Sequence, residues 1–290
     1  MSKSINNITN NDLKPFQDII LNNEKFFETN LKRWNELVEI NAKSKSYDLK
    51  GFKSGKTSLL PIELEELGDV KGKSLLHLQC HFGLDTLSWT RLGAKVTGID
   101  FSDKAINLAK ELSKDLKIPT RFILSNLYDI PKILKEKFDI VFTSYGVICW
   151  LPDIVKWAQI ISDFLKEGGI FYIIENHPFG LLIDEHQEAF RVGYNYFSEG
   201  KPIFFNEDGA YADPSAKLKN RESYDWIHSM SSIVNALIDA NLEIEFLHEF
   251  PFTFFNIHPD MKRREDGYWE FTELEFTVPM MFSIKCHKKG

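Results

Sequence analysis

Long apolar runs are missing from this 290-residue chain. None approaches the roughly 20 consecutive apolar residues of a membrane-spanning helix, so no membrane partner is expected. A basic surplus is missing as well: the net charge is −7. The one dense basic cluster, Lys262-Arg263-Arg264, is followed at once by Glu265 and Asp266, the pattern of a solvated loop. A nucleic-acid partner is therefore not expected. Cysteine is scarce, and Cys80, Cys149 and Cys286 have neither metal-knuckle spacing nor a pairing pattern. That excludes a disulfide scaffold, argues against a metal site, and suits a reducing, cytoplasmic setting. The opening MSKSINNITNNDLK has no apolar core of the kind a signal peptide needs. Aromatic residues, by contrast, are plentiful, with 24 Phe, 9 Tyr and 6 Trp. A small molecule is the expected partner of a monomer or homodimer.

What is present is organised around Ser74–Ser102, SLLHLQCHFGLDTLSWTRLGAKVTGIDFS. Leu75, Leu76 and Leu78 make the short apolar run of a buried parallel strand. Leu84, Leu87 and Leu92 share a helical face, with Asp85 in the first turn where a carboxylate suits the helix dipole. Gly93 stops that helix. Lys95–Ile99 reads as a second strand, with Asp100 at its carboxyl end. This is half of a nucleotide-binding α/β unit, whose ligand lies beyond the carboxyl ends of the strands. An acid at the end of the second strand suits the two hydroxyls of a ribose. Gly83 precedes Asp100 by close to the roughly 20 residues such a unit requires.

The turn between the first strand and its helix lacks the glycines of G-x-G-x-x-G. Gln79 and Cys80 stand where glycines are expected, and only Gly83 remains. A pyrophosphate needs close backbone approach, so NAD, FAD and nucleoside triphosphates fit poorly. A ligand with a ribose and no phosphate fits better. LLHLQCHFGLDTLSWTRLGAKVTGIDFS resembles the first motif of the class I S-adenosylmethionine-dependent methyltransferases, in particular a small-molecule subgroup with L-Q-C-H-F-G-L-D-T in place of the glycine-rich loop. The likeness covers about Trp34 to Gly169. It implies S-adenosylmethionine as cofactor and S-adenosylhomocysteine as product. It also implies cofactor contacts from Gln79, Cys80, Gly83, Asp85, Thr86, Asp100, Phe101 and Ser102. Cys80 is assigned a backbone role, as a small residue in the turn.

Further along, Ser102 caps a helix bearing Ala105, Leu108, Ala109 and Leu112. Arg121–Leu124 reads as a third strand leading to Asn126 and Leu127. The family usually has an acid there for the adenine amino group; the Asn126 side-chain carbonyl still accepts. FDIVF, from Phe138, resembles the family's F-D-x-V strand and leads to Ser144 and Tyr145 at the cofactor edge. Leu151-Pro152-Asp153 opens a helix, and L-K-E-G-G resembles the family's L-K-P-G-G motif before a fifth strand, Ile170–Ile174. Upstream, residues 1 to about 14 are polar. Phe16–Leu21 suggests a short helix, Glu24–Ile40 a longer one, and Pro61–Leu67 a third. The family's N-terminal segment folds over the cofactor, and Trp34 and Tyr47 are the candidates for that lid. Downstream, Tyr194 and Tyr196 are expected to pair with Ile203–Phe205. Ser229–Ala240 reads as a helix, and Leu242–Phe250 and Glu275–Lys285 as a closing antiparallel pair.

The fold expected is α/β: a doubly wound, seven-stranded, mostly parallel sheet of Rossmann-like methyltransferase type. The segments are an N-terminal helical lid (1–68), a cofactor-binding core (69–176), a substrate-cap insertion after strand five (177–223), and a C-terminal completion of the sheet (224–290). The substrate pocket is expected from that insertion and from Pro251–Trp269. Methyl transfer to a small molecule needs alignment of a nucleophile with the C–S bond rather than one universal catalytic residue. His177 and His228 are the catalytic candidates, with His186, Glu175 and Tyr145 as further base or substrate-ligand candidates. His81, in the turn, is placed to flank the cofactor. The alternative is a non-catalytic nucleoside-binding protein on the same fold.

Overall fold

A computed structural model describes residues 10–184, 190–198 and 200–290, with side chains from Asn23 onward. The sheet strands are β1 (Ser74–His77), β2 (Lys95–Asp100), β3 (Arg121–Leu124), β4 (Phe138–Ser144), β5 (Leu165–Asn176), β6 (Leu242–Phe250) and β7 (Met281–Lys288). Their order is β3-β2-β1-β4-β5-β7-β6. The first five run parallel, and β7 runs antiparallel to both neighbours. Strand order therefore reverses between β1 and β4, which opens a crevice at their carboxyl ends.

The α-helices of five or more residues are α1 (Asn10–Lys43), α2 (Leu49–Lys53), α3 (Pro61–Leu67), α4 (Leu84–Arg91), α5 (Asp103–Asp115), α6 (Ile154–Phe164) and α7 (Met230–Asp239). One sheet face packs on α6 and α7 through Trp157, Ile161, Ile233 and Leu237. The other packs on α3 and α4, with Trp89 against Phe142 and Tyr172. Such large fully buried rings contribute most to the core, at about 3–5 kcal/mol for truncation to alanine.

Four expectations are corrected. Phe16–Leu21 and Glu24–Ile40 belong to one helix, α1; Asn22-Asn23 between them holds neither glycine nor proline to break it. β5 begins at Leu165 rather than Ile170, so Lys166–Gly169 lie within a strand whose register against β4 shifts between Phe138 and Ile140. The last strand starts at Met281 rather than Glu275, because Pro279 cannot donate to a ladder. Ile203–Asn206 pairs with Glu222–Asp225, not with Tyr194 and Tyr196. The Tyr196 hydroxyl instead accepts from the Met230 N–H at 2.9 Å, at the start of α7.

Asp139 of the FDIVF strand clips the sheet together below the crevice. It accepts from the Ser74 N–H at 2.8 Å and the Ser74 hydroxyl at 2.6 Å, and Lys166 pairs with it at 2.8 Å. Burial opposes the charge, but these partners win and hold its carboxyl down at about 2. A depressed carboxylate contributes stability above its unfolded pKa and loses it as pH falls through the folded one. Asp139→Asn is therefore expected to cost about 1 kcal/mol at pH 7, discounted because the group is part-exposed. It should also flatten the acid limb of the stability curve between about pH 4 and 2, measured by urea unfolding at stepped pH.

Candidate functional site

The crevice is shaped by the turn after β1. Gln79 and His81 take left-handed backbones, with φ of 54° and 50°, and Gly83 follows at 80°. The glycine-like positions are thus Gln79 and His81, not Gln79 and Cys80. Each non-glycine residue in that region costs of order 1 kcal/mol or more, and each is held by a specific bond. The Gln79 side-chain N–H donates to the Val147 carbonyl at 3.0 Å. The His81 N–H donates to the Asp100 carboxylate at 2.8 Å. Cys80 lies between them, its N–H on the Ile99 carbonyl at 2.8 Å and its sulfur buried against Gly98, where a Cβ would come within 2.9 Å.

Asp100 is 7% exposed. Its second oxygen accepts the Ser102 N–H at 2.9 Å. Burial raises its pKa to about 6, opposed by these N–H groups. Ser102 caps α5 through the Ala105 N–H and donates to Asn35 of α1 at 2.6 Å. Phe101 lies half-buried in the bend between. Asn126 turns its carbonyl to the Tyr128 N–H at 2.9 Å, capping the turn that carries buried Leu127. That side chain has a structural duty which sequence reading did not assign.

Under the crevice runs a buried polar chain. Thr86, fully buried, meets His77 Nδ1 at 2.8 Å. Ser144 stands 3.5 Å from His77 Nε2 and donates to Asp85 at 3.2 Å. Burial lowers the His77 pKa to about 3 and raises that of Asp85. Tyr145 has a left-handed backbone, φ 39°, and its hydroxyl donates to Glu63 at 2.6 Å. Sequence reading missed Glu63. The available signal was half of a capping box: Pro61 opens α3 and Glu63 reaches back to the Leu60 N–H at 2.6 Å. Glu175 accepts the N–H groups of Gly146, Val147, Ile148 and Asn176. Burial pushes its carboxyl up while those donors pull it down. It shapes the segment after β4.

Across the top lie Trp34 of α1 and Tyr47. Trp34 meets His81 at 5.4 Å and Trp150 at 5.2 Å, edge to face. Tyr47 packs on Phe82 at 4.8 Å, its hydroxyl 3.4 Å from His81 Nδ1 and in contact with the Tyr211 hydroxyl. Tyr211 belongs to the insertion, so cap and cofactor turn touch. The link extends along α1: Arg33 donates to the carbonyls of Glu207, Gly209 and Arg221, Asn30 exchanges two bonds with Tyr224, and Glu36 accepts from Lys219 and Asn220.

The histidine candidates lie apart from this cluster. His177 accepts the Phe179 N–H at Nδ1 and sits 2.8 Å from Glu249 without hydrogen-bond alignment; burial lowers its pKa. His228 donates from Nε2 to the Leu151 carbonyl at 2.7 Å, and burial lowers it too. His186 lies outside the described residues.

The donor set fits S-adenosylmethionine. Two buried polar atoms of the turn, Gln79 Oε1 and His81 Nε2, have no partner, and Asp100 keeps lone pairs for ribose hydroxyls. None of Asp85, Asp100 and Glu175 has a Lys, Arg or His ion pair among the described residues, which suits a cationic ligand.

Glu63 is fully buried, and desolvation carries its pKa from 4.5 to about 8. The folded state therefore holds its proton more tightly, and stability falls as pH rises from about 4.5 to about 8. Glu63→Gln should remove that slope, so that melting temperatures of variant and wild type diverge in the variant's favour on going from pH 5 to pH 9.

Comparison with known proteins agrees with this geometry. Residues 76–173 match the model of the methyltransferase domain family. The chain is 31% identical over 145 residues to the demethylmenaquinone methyltransferase of Lactococcus lactis, a match spanning 48% of this chain and 54% of that one. It is 24% identical over 182 residues to the ubiquinone biosynthesis O-methyltransferase of Proteus mirabilis, spanning 60% and 71%. Solved S-adenosylmethionine-dependent methyltransferases share the fold. The Clostridium acetobutylicum structure gives a TM-score of 0.52 at 15% identity, covering 89% of this chain and 96% of that one. The Mesorhizobium loti structure gives 0.51 at 18% identity, covering 81% and 100%. Residues 76–173 thus carry a methyltransferase domain, and the fold around them is one shared with solved S-adenosylmethionine-dependent methyltransferases.

Proposed function

We propose that this chain transfers the methyl group of S-adenosylmethionine to a small-molecule acceptor. The observation that carries the reading is the turn at Gln79–His81 fastened to Asp100, with unpartnered polar atoms beside a buried acid at the point where strand order reverses. The relatives named above support it, since they are named as methyltransferases of quinone biosynthesis.

Bound S-adenosylmethionine supplies an electrophilic methyl group on a positively charged sulfur. The chain contributes position and electrostatics. Asp100 holds the ribose hydroxyls, and Gln79, Cys80, Gly83 and His81 line the turn beneath. Asn126 and Leu127 border the adenine end, and Asp85, Thr86, Ser144 and Tyr145 underlie the sulfonium end. Uncompensated carboxylates there favour a cation over neutral S-adenosylhomocysteine, so product leaves more readily than substrate. Trp34 and Tyr47 exclude water from above. Once bound, the cofactor would supply that methyl group to an acceptor lone pair, the electrons of the broken C–S bond remaining with sulfur. An acceptor O–H or N–H proton passes to solvent or to a neighbouring base. His177 and His228 remain candidates only if closure brings them in, because both have ring nitrogens engaged elsewhere.

Calorimetry with S-adenosylhomocysteine and a radiolabelled methyl-transfer screen test the reading. Asp100→Asn keeps an acceptor for only one of the two backbone N–H groups, so circular dichroism and the melting temperature are read beside affinity to check that the fold is retained. It should weaken S-adenosylhomocysteine by about 10- to 100-fold, the ~1.5–3 kcal/mol of a hydrogen bond to a charged group. Unchanged affinity would refute the assignment. Tight binding with no transfer to any phenol, amine, thiol or carboxylate would favour the non-catalytic alternative.

A further inference from the structure

Six aromatic side chains from four separate segments form a continuous belt at the carboxyl ends of β1 and β4. Trp150 contacts Trp34 at 5.2 Å, Trp34 contacts Tyr211 at 6.3 Å, and Tyr211 contacts Phe255 at 5.8 Å. Phe255 contacts Phe254 at 4.7 Å, and Phe254 contacts Tyr145 at 4.3 Å. Both ends of the belt, Tyr145 and Trp150, lie in the segment after β4 that Glu175 holds. The belt thus begins and ends on one short loop, passing through α1, the insertion and the loop after β6.

Three properties set these rings apart from core aromatics. None is fully buried: five are half-buried and Tyr211 is 40% exposed. No pair in the belt is stacked. Interplanar angles run from 40° to 85°, so no two rings cover each other face to face. The polar atoms are largely turned away. Tyr145 donates to Glu63, the Trp150 N–H to the Gly146 carbonyl at 2.8 Å, and the Tyr211 hydroxyl meets Tyr47 and Asn41. Cations lie over the rings of Phe52, Tyr128, Phe252 and Phe246, and over none of these six among the described residues.

We infer that the belt is the acceptor site and that it takes an uncharged, planar aromatic molecule, a phenol or hydroxylated bicyclic ring. This rests on the methyltransferase reading and names its substrate class. Ring faces without donors recognise a flat apolar body. An anionic acceptor is disfavoured by the acids below the belt that have no ion pair among the described residues, Asp85 and Glu175. A cationic one is disfavoured because the sulfonium already occupies the single place those acids prepare for positive charge, and two cations at close range repel. The Trp34 indole N–H, which has no hydrogen-bond partner among the described residues, is left to meet the acceptor's oxygen.

The test is calorimetric titration of the full chain, with and without saturating S-adenosylhomocysteine, using 2-naphthol, cyclohexanol, benzoate and choline as probes. The expected result is 2-naphthol binding at least tenfold tighter than each of the others. Phe255→Leu, which keeps bulk and removes the flat face, should weaken 2-naphthol about tenfold and leave S-adenosylhomocysteine within about threefold. Phe254→Leu serves if that variant does not fold, and saturation-transfer contacts from aromatic protons to 2-naphthol need no variant. Choline, benzoate or cyclohexanol binding as tightly as 2-naphthol overturns the inference, as does an unchanged 2-naphthol affinity in the folded variants. Failure of S-adenosylhomocysteine to bind while 2-naphthol binds as described would sink the methyltransferase reading and leave the belt's preference standing.

Discussion

The Asp100 carboxylate is the constraint on which the crevice depends. With one oxygen it takes the His81 N–H and with the other the Ser102 N–H. It thereby joins the turn after β1 to the bend after β2. A turn with three glycines would adopt its shape at little cost. This one places Gln79 and His81 in the left-handed region, so an external clamp must hold them. Because the clamp is itself a buried acid, the residue that shapes the turn is also the one with acceptor capacity left for a sugar. Shape and recognition are therefore not separable at this position.

Much of this was legible in the chain. The apolar run at Leu75–Leu78, the stop at Gly93 and the acid at Asp100 are local signals, and a parallel strand, a short helix and a strand end follow from them directly. The sequence could not say which residues of the turn would be left-handed. Cys80 is the small one, and size points to it, yet the backbone alternates on either side of it. Conformation there is set by the partners of Gln79 and His81, which are distant in sequence. The insertion was misread for a similar reason. Tyr194 and Tyr196 look like strand residues, but the partner of Ile203–Asn206 comes from Glu222–Asp225. Strand pairing across such a gap leaves no local trace. Glu63 was passed over because an acid in the first turn of a helix normally faces water, and only the tertiary fold buries it.

The electrostatics of the crevice are one-sided. Asp85, Asp100 and Glu175 are satisfied by N–H and O–H donors, from backbone and serine. Dipoles hold them in place without cancelling their charge. The protein thus carries a field at the crevice without a counter-ion of its own, the arrangement expected where the charge partner is a diffusible ligand. Elsewhere, acids such as Asp139 and Asp266 are paired with Lys166 and Arg264, which indicates that the lack of pairing is local to the crevice.

The bonds from α1 to residues 207–224 join positions 170 to 194 apart in the chain. During synthesis, α1 leaves the ribosome long before Glu207 or Tyr224 exists to receive Arg33 and Asn30. Its Asn35, Trp34 and Val38 can dock on the α5 and β1 region early, but Arg33 and Asn30 have no partners until about two-thirds of the chain has been made, and loops of that length close slowly. The sheet core from β1 to β5 lies wholly within the interval. Assembly then proceeds with the roof incomplete until the insertion emerges, followed by β6 and β7, which complete the sheet. A newly made chain interrupted before that point would present an acid-lined, aromatic-rimmed cleft directly to water, which makes such an intermediate a natural client for a chaperone.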